Sequence, residues 1–307
     1  MEAARQPLPG GRWHWQHGPI DIVAGAEGDP AAVHAAHEAA WARFQVVLRE
    51  LVAELPLLKL PVEAVGGCPL QGPVARRMWH ACAPHAAVFI TPMAAVAGAV
   101  AEELVAFYRR EGITRAWVNN GGDIALHLTA SERFRVGLFA DLDQWPRALA
   151  TAGLAVDGVF DITHDSPVRG VATSGWKGRS FSLGIADSVT VLAATAAQAD
   201  AAATLIGNAV DVAHPGIVRR PANTLRDDSD LGAIEVTVDV PALTPAQAQL
   251  ALAAGRARAL DLQHAGLIVS CVITCQGQAT STDDAAGRFV FLDGAPASDA
   301  LQETETA

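Results

Sequence analysis

Residues 116–128, AWVNNGGDIALHL, place an apolar run on each side of Asn-Asn-Gly-Gly, and a carboxylate, Asp123, follows the glycines directly. Asn-Gly between apolar runs is typical of the tight turn of a β-hairpin, because both residues tolerate positive φ. Successive glycines also let backbone N–H groups face an anion. The segment therefore predicts a hairpin. It leaves open whether Asn120, Gly121, Gly122 and Asp123 also form the wall of a ligand site.

The composition of the chain excludes several classes of protein. It has 307 residues, 50 % of them hydrophobic, and a formal net charge of -11, which disfavours nucleic acid as a partner. No apolar run is long enough to cross a membrane, and the first residues lack the apolar core of a signal peptide. The 4 cysteines are too scattered for a disulfide framework. We therefore expect a cytoplasmic protein.

The spacing of apolar residues predicts long helices and a series of short strands. Thr91 is a good N-cap for one helix and Gly112 a good C-terminal stop, whereas the Pro/Gly-rich segment 55–73 should be irregular. Helices are expected over residues 29–55, 92–111, 196–210 and 244–260. Strands are expected over residues 19–25, 115–119, 123–128, 134–139, 159–163, 170–174, 179–184, 188–195, 232–240, 266–275 and 288–293.

The order of these elements indicates the fold class. Successive strands with short connections favour antiparallel pairing, with the helices packed on one side. We therefore predict an α+β fold that forms a single domain over residues 1–295, followed by a flexible polar tail over residues 296–307.

A second polar turn lies in VATSGWKGRSFSLGIADSVTVLA, residues 171–193. Ser180 and Ser182 alternate with apolar residues, which would line one face of a strand with hydroxyls. The segment is either a half-exposed hairpin or a wall that faces phosphate or another polar ligand. Its turn carries hydroxyls, a glycine and two cations: Thr173, Ser174, Gly175, Lys177 and Arg179.

A third stretch, QADAAATLIGNAVD, covers residues 198–211 and is expected to be helical. Asp200 and Thr204 are four residues apart and so lie on one face of that helix. A carboxylate and a hydroxyl are hard oxygen ligands suited to magnesium. An aspartate near a helix N-terminus also serves as ordinary capping and dipole compensation, and the two interpretations stay open.

Histidines surround a cysteine in MWHACAPHAAV, residues 78–88. His80, Cys82 and His85 do not supply the four ligands of a zinc site, and no HExxH motif is present. Cys82 beside histidines is a candidate nucleophile with His80 as its neighbour. The alternative is a buried free thiol.

Taken in order, four motifs resemble the ApbE-like superfamily, whose best-known members are FAD:protein FMN transferases. The likeness is closest to the uncharacterised cytoplasmic branch of that superfamily. The motifs are PMAAVAGAVAE at 92–102, NGGDI at 120–124, TSG…GRS.SLG.ADSVTV at 173–191 and ADAAAT at 199–204. The resemblance is strong over residues 75–211 and weaker towards both ends.

The resemblance implies a T-fold-related α+β protein with FAD or FMN bound between the Gly-Gly-Asp turn and the Ser-Gly turn. Carried over residue by residue, Asn120 to Asp123 match the flavin-side turn, and Thr173, Ser174 and Gly175 match the phosphate-side turn. In the transferases magnesium lies beside an Asp, a Thr and a backbone carbonyl. Asp200, Thr204 and Ala97 match that metal set.

The chain also departs from the transferase pattern. Gly98 stands where the transferases usually carry lysine, and SFSLGIADSV at 180–189 replaces the HHIxDPxTG stretch that supplies a histidine. Phosphoryl-type transfer depends on positioning and on charge stabilisation by metal and basic groups. These losses weaken the expectation of transferase activity.

Three functions therefore stay open. The first is an enzyme that binds a flavin nucleotide or a similar anionic small molecule with magnesium, and transfers or hydrolyses at a diphosphate. Asp123 would then anchor the ring, and Arg179 would face phosphate. The second is a hydrolase or lyase of another small metabolite that uses the same pocket, and the third is a non-catalytic flavin-binding accessory protein. A homodimer is expected only because it is the commonest soluble assembly.

Overall fold

The computed structural model describes residues 2–63, 66–138, 158–283 and 289–291. The predicted domain boundary at residue 295 and the polar tail 296–307 lie outside these residues. Within them no helix is both long and apolar enough to cross a membrane.

The strands and helices alternate in blocks along the chain. The strands are β1 Ala4–Leu8, β2 Arg12–His17, β3 Ile20–Gly28, β4 Ile113–Asn120, β5 Asp123–Leu128, β6 Arg133–Leu138, β7 Gly158–Thr163, β8 Gly170–Ser174, β9 Ser188–Ala193, β10 Val218–Pro221, β11 Glu235–Asp239, β12 Ser270–Cys275, β13 Gln278–Ser281 and β14 Phe289–Phe291. The α-helices are α1 Pro30–Ala53, α2 Leu55–Leu58, α3 Pro73–Cys82, α4 Val96–Val105, α5 Ala196–Ala209, α6 Ala222–Leu225 and α7 Pro245–His264, and short 3₁₀ turns cover Ala83–His85, Pro92–Ala95 and Ala106–Tyr108.

A large antiparallel sheet organises the described part of the chain. Its strand order is β1-β2-β3-β4-β5-β8-β9-β12-β13, and every neighbouring pair is antiparallel. Two smaller sheets have the orders β10-β11 and β14-β7-β6. The predicted α+β class with antiparallel sheets and packed helices is confirmed.

The two faces of the large sheet are covered by different layers. On one face Ala116, Val118 and Ala125 join a core with the helices. On the other face Leu126 and Leu128 pack against the small sheet formed by β6 and β7. Because side chains alternate along a strand, Asn120, Asp123 and Ser174 fall on the helix-covered face. This alternation decides which polar side chains meet.

The N-terminal hairpin of β1 and β2 was not predicted from the sequence. Its turn carries positive φ at Gly10 and Gly11, so Pro-Gly-Gly at 9–11 was a usable signal. The hairpin is held by aromatic packing: Trp15 lies 5.7 Å from Phe44 between ring centroids. The guanidinium of Arg5 also lies over the ring of Trp13 at 5.1 Å.

The strand predicted over residues 179–184 is absent, and this prediction is wrong. The backbone N–H of Leu183 donates to Asn208 Oδ1 at 2.9 Å, and that of Gly184 donates to Ser182 Oγ at 3.2 Å. Side chains thus satisfy donors that a strand ladder would otherwise use. A Cβ on Gly184 would lie 2.1 Å from the carbonyl oxygen of Gly207, so the segment rests directly on α5.

Two helix predictions need smaller corrections. The helix expected over 92–111 is α4 flanked by two 3₁₀ turns, and the side chain of Thr91 makes no capping bond. Its hydroxyl instead donates to Asp230 Oδ2 at 2.5 Å. The segment 55–73, expected to be irregular, contains the short helix α2.

Acid should destabilise the protein through His37. Burial lowers the pKa of His37 to about 4, and its Nδ1 shares a hydrogen bond of 2.7 Å with the Tyr108 hydroxyl. The unfolded chain takes up a proton near pH 6.5, whereas the folded chain does so only near pH 4. The contribution of His37 to the free energy of unfolding should therefore fall as pH drops through this window and be constant above it.

Urea denaturation of the unchanged protein and of His37→Gln at neutral and mildly acidic pH measures this effect. We expect a smaller acid loss in His37→Gln. The remaining loss includes the contributions of His85, whose pKa is lowered to about 4, and of His127, whose pKa is also lowered, in both cases mainly by burial. An identical pH dependence in both proteins would contradict the prediction.

Candidate functional site

Two carboxyl groups from distant parts of the chain meet on the helix-covered face of the large sheet. Asp123 is the first residue of β5 and is 7 % exposed. Asp200 lies in the second turn of α5 and keeps more exposure. The two carboxyl groups are hydrogen-bonded to each other. We call Asp123 and Asp200 the acid pair.

The surroundings of the acid pair disfavour two negative charges. Burial, and then the charge of Asp200, raises the pKa of Asp123 well above its ordinary value. Burial raises the pKa of Asp200 to about 7, although hydrogen bonds from Gly98, Asp123 and Ala97 oppose the change. One carboxyl therefore keeps a proton at neutral pH, as like charges in contact require. Such perturbed pairs are enriched at functional sites.

Backbone donors fix the orientation of both carboxyl groups. The N–H of Thr173 in β8 donates to Asp123 Oδ1 at 3.2 Å. The N–H of Gly98 in α4 donates to Asp200 Oδ2 at 2.9 Å. The site therefore joins β5, β8, α4 and α5. These elements carry all four motifs on which the sequence resemblance depends.

Glycine at position 98 is required by the packing of α4 on α5. A Cβ on Gly98 would lie 2.2 Å from the carbonyl oxygen of Ala196, which is far inside van der Waals contact. The two helices thus touch backbone to backbone at the first turn of each. No side chain, and in particular no lysine, fits at this position in this packing.

The Gly-Gly turn between β4 and β5 forms one edge of the site. Asn120 pairs with Asp123 across it, and the two residues between them, Gly121 and Gly122, have φ of 65° and 116°. The predicted hairpin is therefore confirmed. Arg179 lies on this turn: its Nη1 is 3.3 Å from where a Cβ of Gly121 would be. Its Nη2 donates to the carbonyl of Pro19 at 2.9 Å.

The Ser-Gly turn after β8 forms the opposite edge. Ser174 Oγ lies 3.8 Å from where a Cβ of Gly207 would be. Asp200, Thr204 and Gly207 succeed each other on one face of α5 at helical spacing. The acid pair and Ser174 thus lie along one polar face of α5. The hydroxyl of Thr204 makes no hydrogen bond with any residue that the structure describes.

The proposed metal set does not converge in this structure. The carbonyl of Ala97 accepts from Asn120 Nδ2 at 3.1 Å, and it belongs to the same peptide group as the N–H of Gly98 that Asp200 binds. A trans peptide points its C=O and N–H in opposite directions. Ala97 O and Asp200 therefore lie on opposite sides of one peptide group. In the described ranges no cluster of three or more His, Cys, Asp and Glu side chains is suited to a metal ion.

The structure does not bring His80 and Cys82 together. His80 is exposed and stacks edge-on against Trp79. Cys82 is buried, its Sγ donates to the carbonyl of Thr91 at 3.3 Å, and burial followed by the charge of Asp200 raises the pKa of its thiol. An activated nucleophilic cysteine needs the opposite, an exposed thiol with a lowered pKa.

Sequence reasoning missed the contact between Asp123 and Asp200, which it had assigned to two different ligand groups. It also missed the role of Asn120, whose side chain points to α4 and not towards the Gly-Gly turn. The alternation along β4 was the available signal, since Asn120 has the same parity as the core residues Ala116 and Val118.

Comparison with known proteins gives matches over most of the chain. The family model described as AbpE bacteria matches residues 5–281. A UPF0280 protein of Methanopyrus kandleri is 38% identical over 181 residues, which cover 59% of this chain and 66% of that protein. A UPF0280 protein of Methanospirillum hungatei is 36% identical over 132 residues, 43% of this chain and 50% of that protein. The chain thus spans between half and two thirds of the length of these relatives.

Two solved structures share a distant likeness. The flavinyl transferase ApbE of Pseudomonas stutzeri, in its apo form, has 13% sequence identity and a TM-score of 0.42, with 91% of this chain and 93% of that chain covered. The ApbE protein of Thermotoga maritima has the same identity and TM-score, with 91% and 96% covered. The family assignment depends on the sequence matches alone, because these structural likenesses are weak.

Replacing Gly98 by alanine should destabilise the protein. Alanine is ordinarily better than glycine in a helix by about 1 kcal/mol, so a net loss would show that the clash with Ala196 dominates. We expect Gly98→Ala to lower the free energy of unfolding by about 1–3 kcal/mol, measured by urea denaturation. Gly67→Ala is the control, because a Cβ there meets nothing within 4 Å. Equal stability of the two variants would contradict the prediction.

Proposed function

The chain belongs to the family described as AbpE bacteria, and on that premise we propose that it binds a flavin nucleotide, FAD or FMN, beside the acid pair and the polar face of α5. Family membership agrees with the resemblance to the ApbE-like superfamily, whose best-known members act on FAD. The acid pair is the observation that carries the proposal. A buried carboxyl group in contact with a second, partly buried one costs folding free energy, and such perturbed groups cluster where a ligand or substrate uses them.

The Gly-Gly turn and the Ser-Gly turn suit the two ends of a flavin nucleotide. Asp123 lies at the Gly-Gly edge, where its carboxyl can hydrogen-bond ring or ribose N–H and O–H groups. Thr173, Ser174 and Gly175 lie at the opposite edge, where hydroxyls and backbone N–H groups suit phosphate oxygens. Arg179 adds a positive charge beside Gly121. No step of this proposal passes through a metal ion, because the oxygen donors named for it do not converge.

A second candidate, binding without transfer, is supported by the contact at Gly98. The transferases usually carry lysine where this chain has Gly98, and Ala196 leaves no room for a side chain there. The residues at 180–189 also supply no histidine. Two basic groups that phosphoryl-type transfer would use are thus missing from the motif positions. These losses favour an accessory protein that holds the flavin nucleotide.

We also propose that the protein works in the cytoplasm. All four cysteines are free thiols, which suits a reducing compartment. We propose, in addition, that residues 1–295 form a single domain.

Titration with FAD and FMN, followed by flavin fluorescence, tests the binding function. We expect saturable binding by the unchanged protein. Asp123→Ala should weaken it by at least about tenfold, because a buried hydrogen-bonding group is lost. Asp261→Ala is the matched control, since Asp261 is an exposed carboxylate on α7. If the unchanged protein binds neither nucleotide, with or without magnesium, the proposal is wrong.

Prolonged incubation with FAD separates binding from turnover. Chromatography of the mixture should show intact FAD and no FMN or AMP if the protein only holds the nucleotide. Release of AMP at a rate that exceeds the protein-free control would instead establish cleavage of the diphosphate. Attachment of FMN to protein would establish the transferase reaction.

A further inference from the structure

We propose that this site binds its anionic ligand without a divalent cation, because Asp200 is committed to capping helix α4 and the ligand charge is met by cations of the protein. The inference rests on the proposed function. It departs from the metal site that the family resemblance implies.

Asp200 supplies the cap that α4 lacks in its own sequence. Ala95 occupies the N-cap position and makes no side-chain capping bond. Asp200 reaches across from α5 and accepts from the N–H of Gly98 at 2.9 Å and from the backbone of Ala97. The first N–H groups of a helix need acceptors, and a carboxylate is the acceptor that the helix dipole favours. Asp200 therefore caps the N-terminus of α4, as a Ser or Asp at the N-cap position does in other helices.

The same arrangement makes the binding of a cation at Asp200 unfavourable. The positive end of α4 faces the carboxylate and would repel a metal ion in that place. Ala97 O lies on the far side of the peptide and is held there by the buried amide of Asn120. Magnesium needs its ligands at about 2.1 Å in near-octahedral geometry. Asp200 Oδ2 and Ala97 O cannot both meet that requirement while the peptide between them keeps its bonds.

Cations of the protein lie in the loop that follows the Ser-Gly turn. Arg179 lies against Gly121, and Lys177 lies over the ring of Trp176 at 5.6 Å. At the end of the same loop, the guanidinium of Arg226 lies over the ring of Phe181 at 5.1 Å. Guanidinium groups bind phosphate through paired, charge-assisted hydrogen bonds. The loop 175–181 follows the Ser-Gly turn and brings Arg179 to the Gly-Gly turn, so in this proposal its two cations meet the charge of a phosphate group.

The first test compares FAD titrations in excess EDTA and in excess Mg²⁺. We expect the same dissociation constant in both buffers. Arg179→Gln should raise the constant about tenfold, because a charge-assisted hydrogen bond is lost. Arg133→Gln is the matched control, since Arg133 lies on β6 in the sheet at the opposite face.

The second test uses Mn²⁺ alone, monitored by electron paramagnetic resonance, and needs no activity. We expect no stoichiometric Mn²⁺ binding by the unchanged protein. Thermal denaturation then compares Asp200→Asn with Asp200→Ala. Asparagine keeps an oxygen that can accept from Gly98, so its melting temperature should stay near that of the unchanged protein, whereas alanine should lower it.

The outcomes separate this inference from the function on which it rests. FAD binding that requires Mg²⁺, or bound Mn²⁺ that Asp200→Asn releases, would overturn the inference and leave flavin binding intact. Equal melting temperatures for the two Asp200 variants would also overturn it, because a capping role predicts a difference. Failure to bind FAD in either buffer would overturn the proposed function and the inference with it.

Discussion

The close approach of α4 and α5 at Gly98 is the constraint on which the site depends. Because the helices touch backbone to backbone there, Asp200, one turn beyond Ala196 in α5, reaches the first N–H groups of α4. A larger residue at position 98 would move α5 outward and take Asp200 away from both α4 and Asp123. The same contact that removes a lysine from the site thus assembles the acid pair. A single small residue thus excludes a side chain at position 98 and brings the acid pair together.

The large sheet supplies the second half of the site through strand alternation. Asn120, Asp123 and Ser174 face the helices because each shares parity with alanines or valines of the helix-side core. A shift of one residue in the pairing of β4 with β5 would turn Asp123 towards the small sheet. The Gly-Gly turn prevents that shift, since its two positive φ values fit a two-residue connection. The conformation of the Gly-Gly turn therefore fixes which face of the large sheet carries the carboxyl group of Asp123.

Local signals in the sequence were enough for the α+β class, the Gly-Gly hairpin and helices α1, α5 and α7. These signals failed where side chains, and not the backbone of a neighbouring strand, accept the hydrogen bonds of backbone N–H groups. Residues 179–184 alternate like a strand, yet Asn208 and Ser182 take their backbone donors. The contact between Asp123 and Asp200 was also out of reach, because it depends on how α4 and α5 pack. Motif order suggested that these residues share a site, but only the fold shows that they touch.

Capping and metal binding would compete for Asp200 Oδ2. A carboxylate that accepts from Gly98 and Ala97 is stabilised by the positive end of α4, and it also contacts the carboxyl of Asp123. Such a residue stabilises the junction of two helices whether or not a ligand is present. A metal ion bound to Asp200 Oδ2 would leave the N–H of Gly98 without that acceptor. In this chain we infer that capping prevails, because Ala95, the N-cap residue of α4, makes no side-chain capping bond.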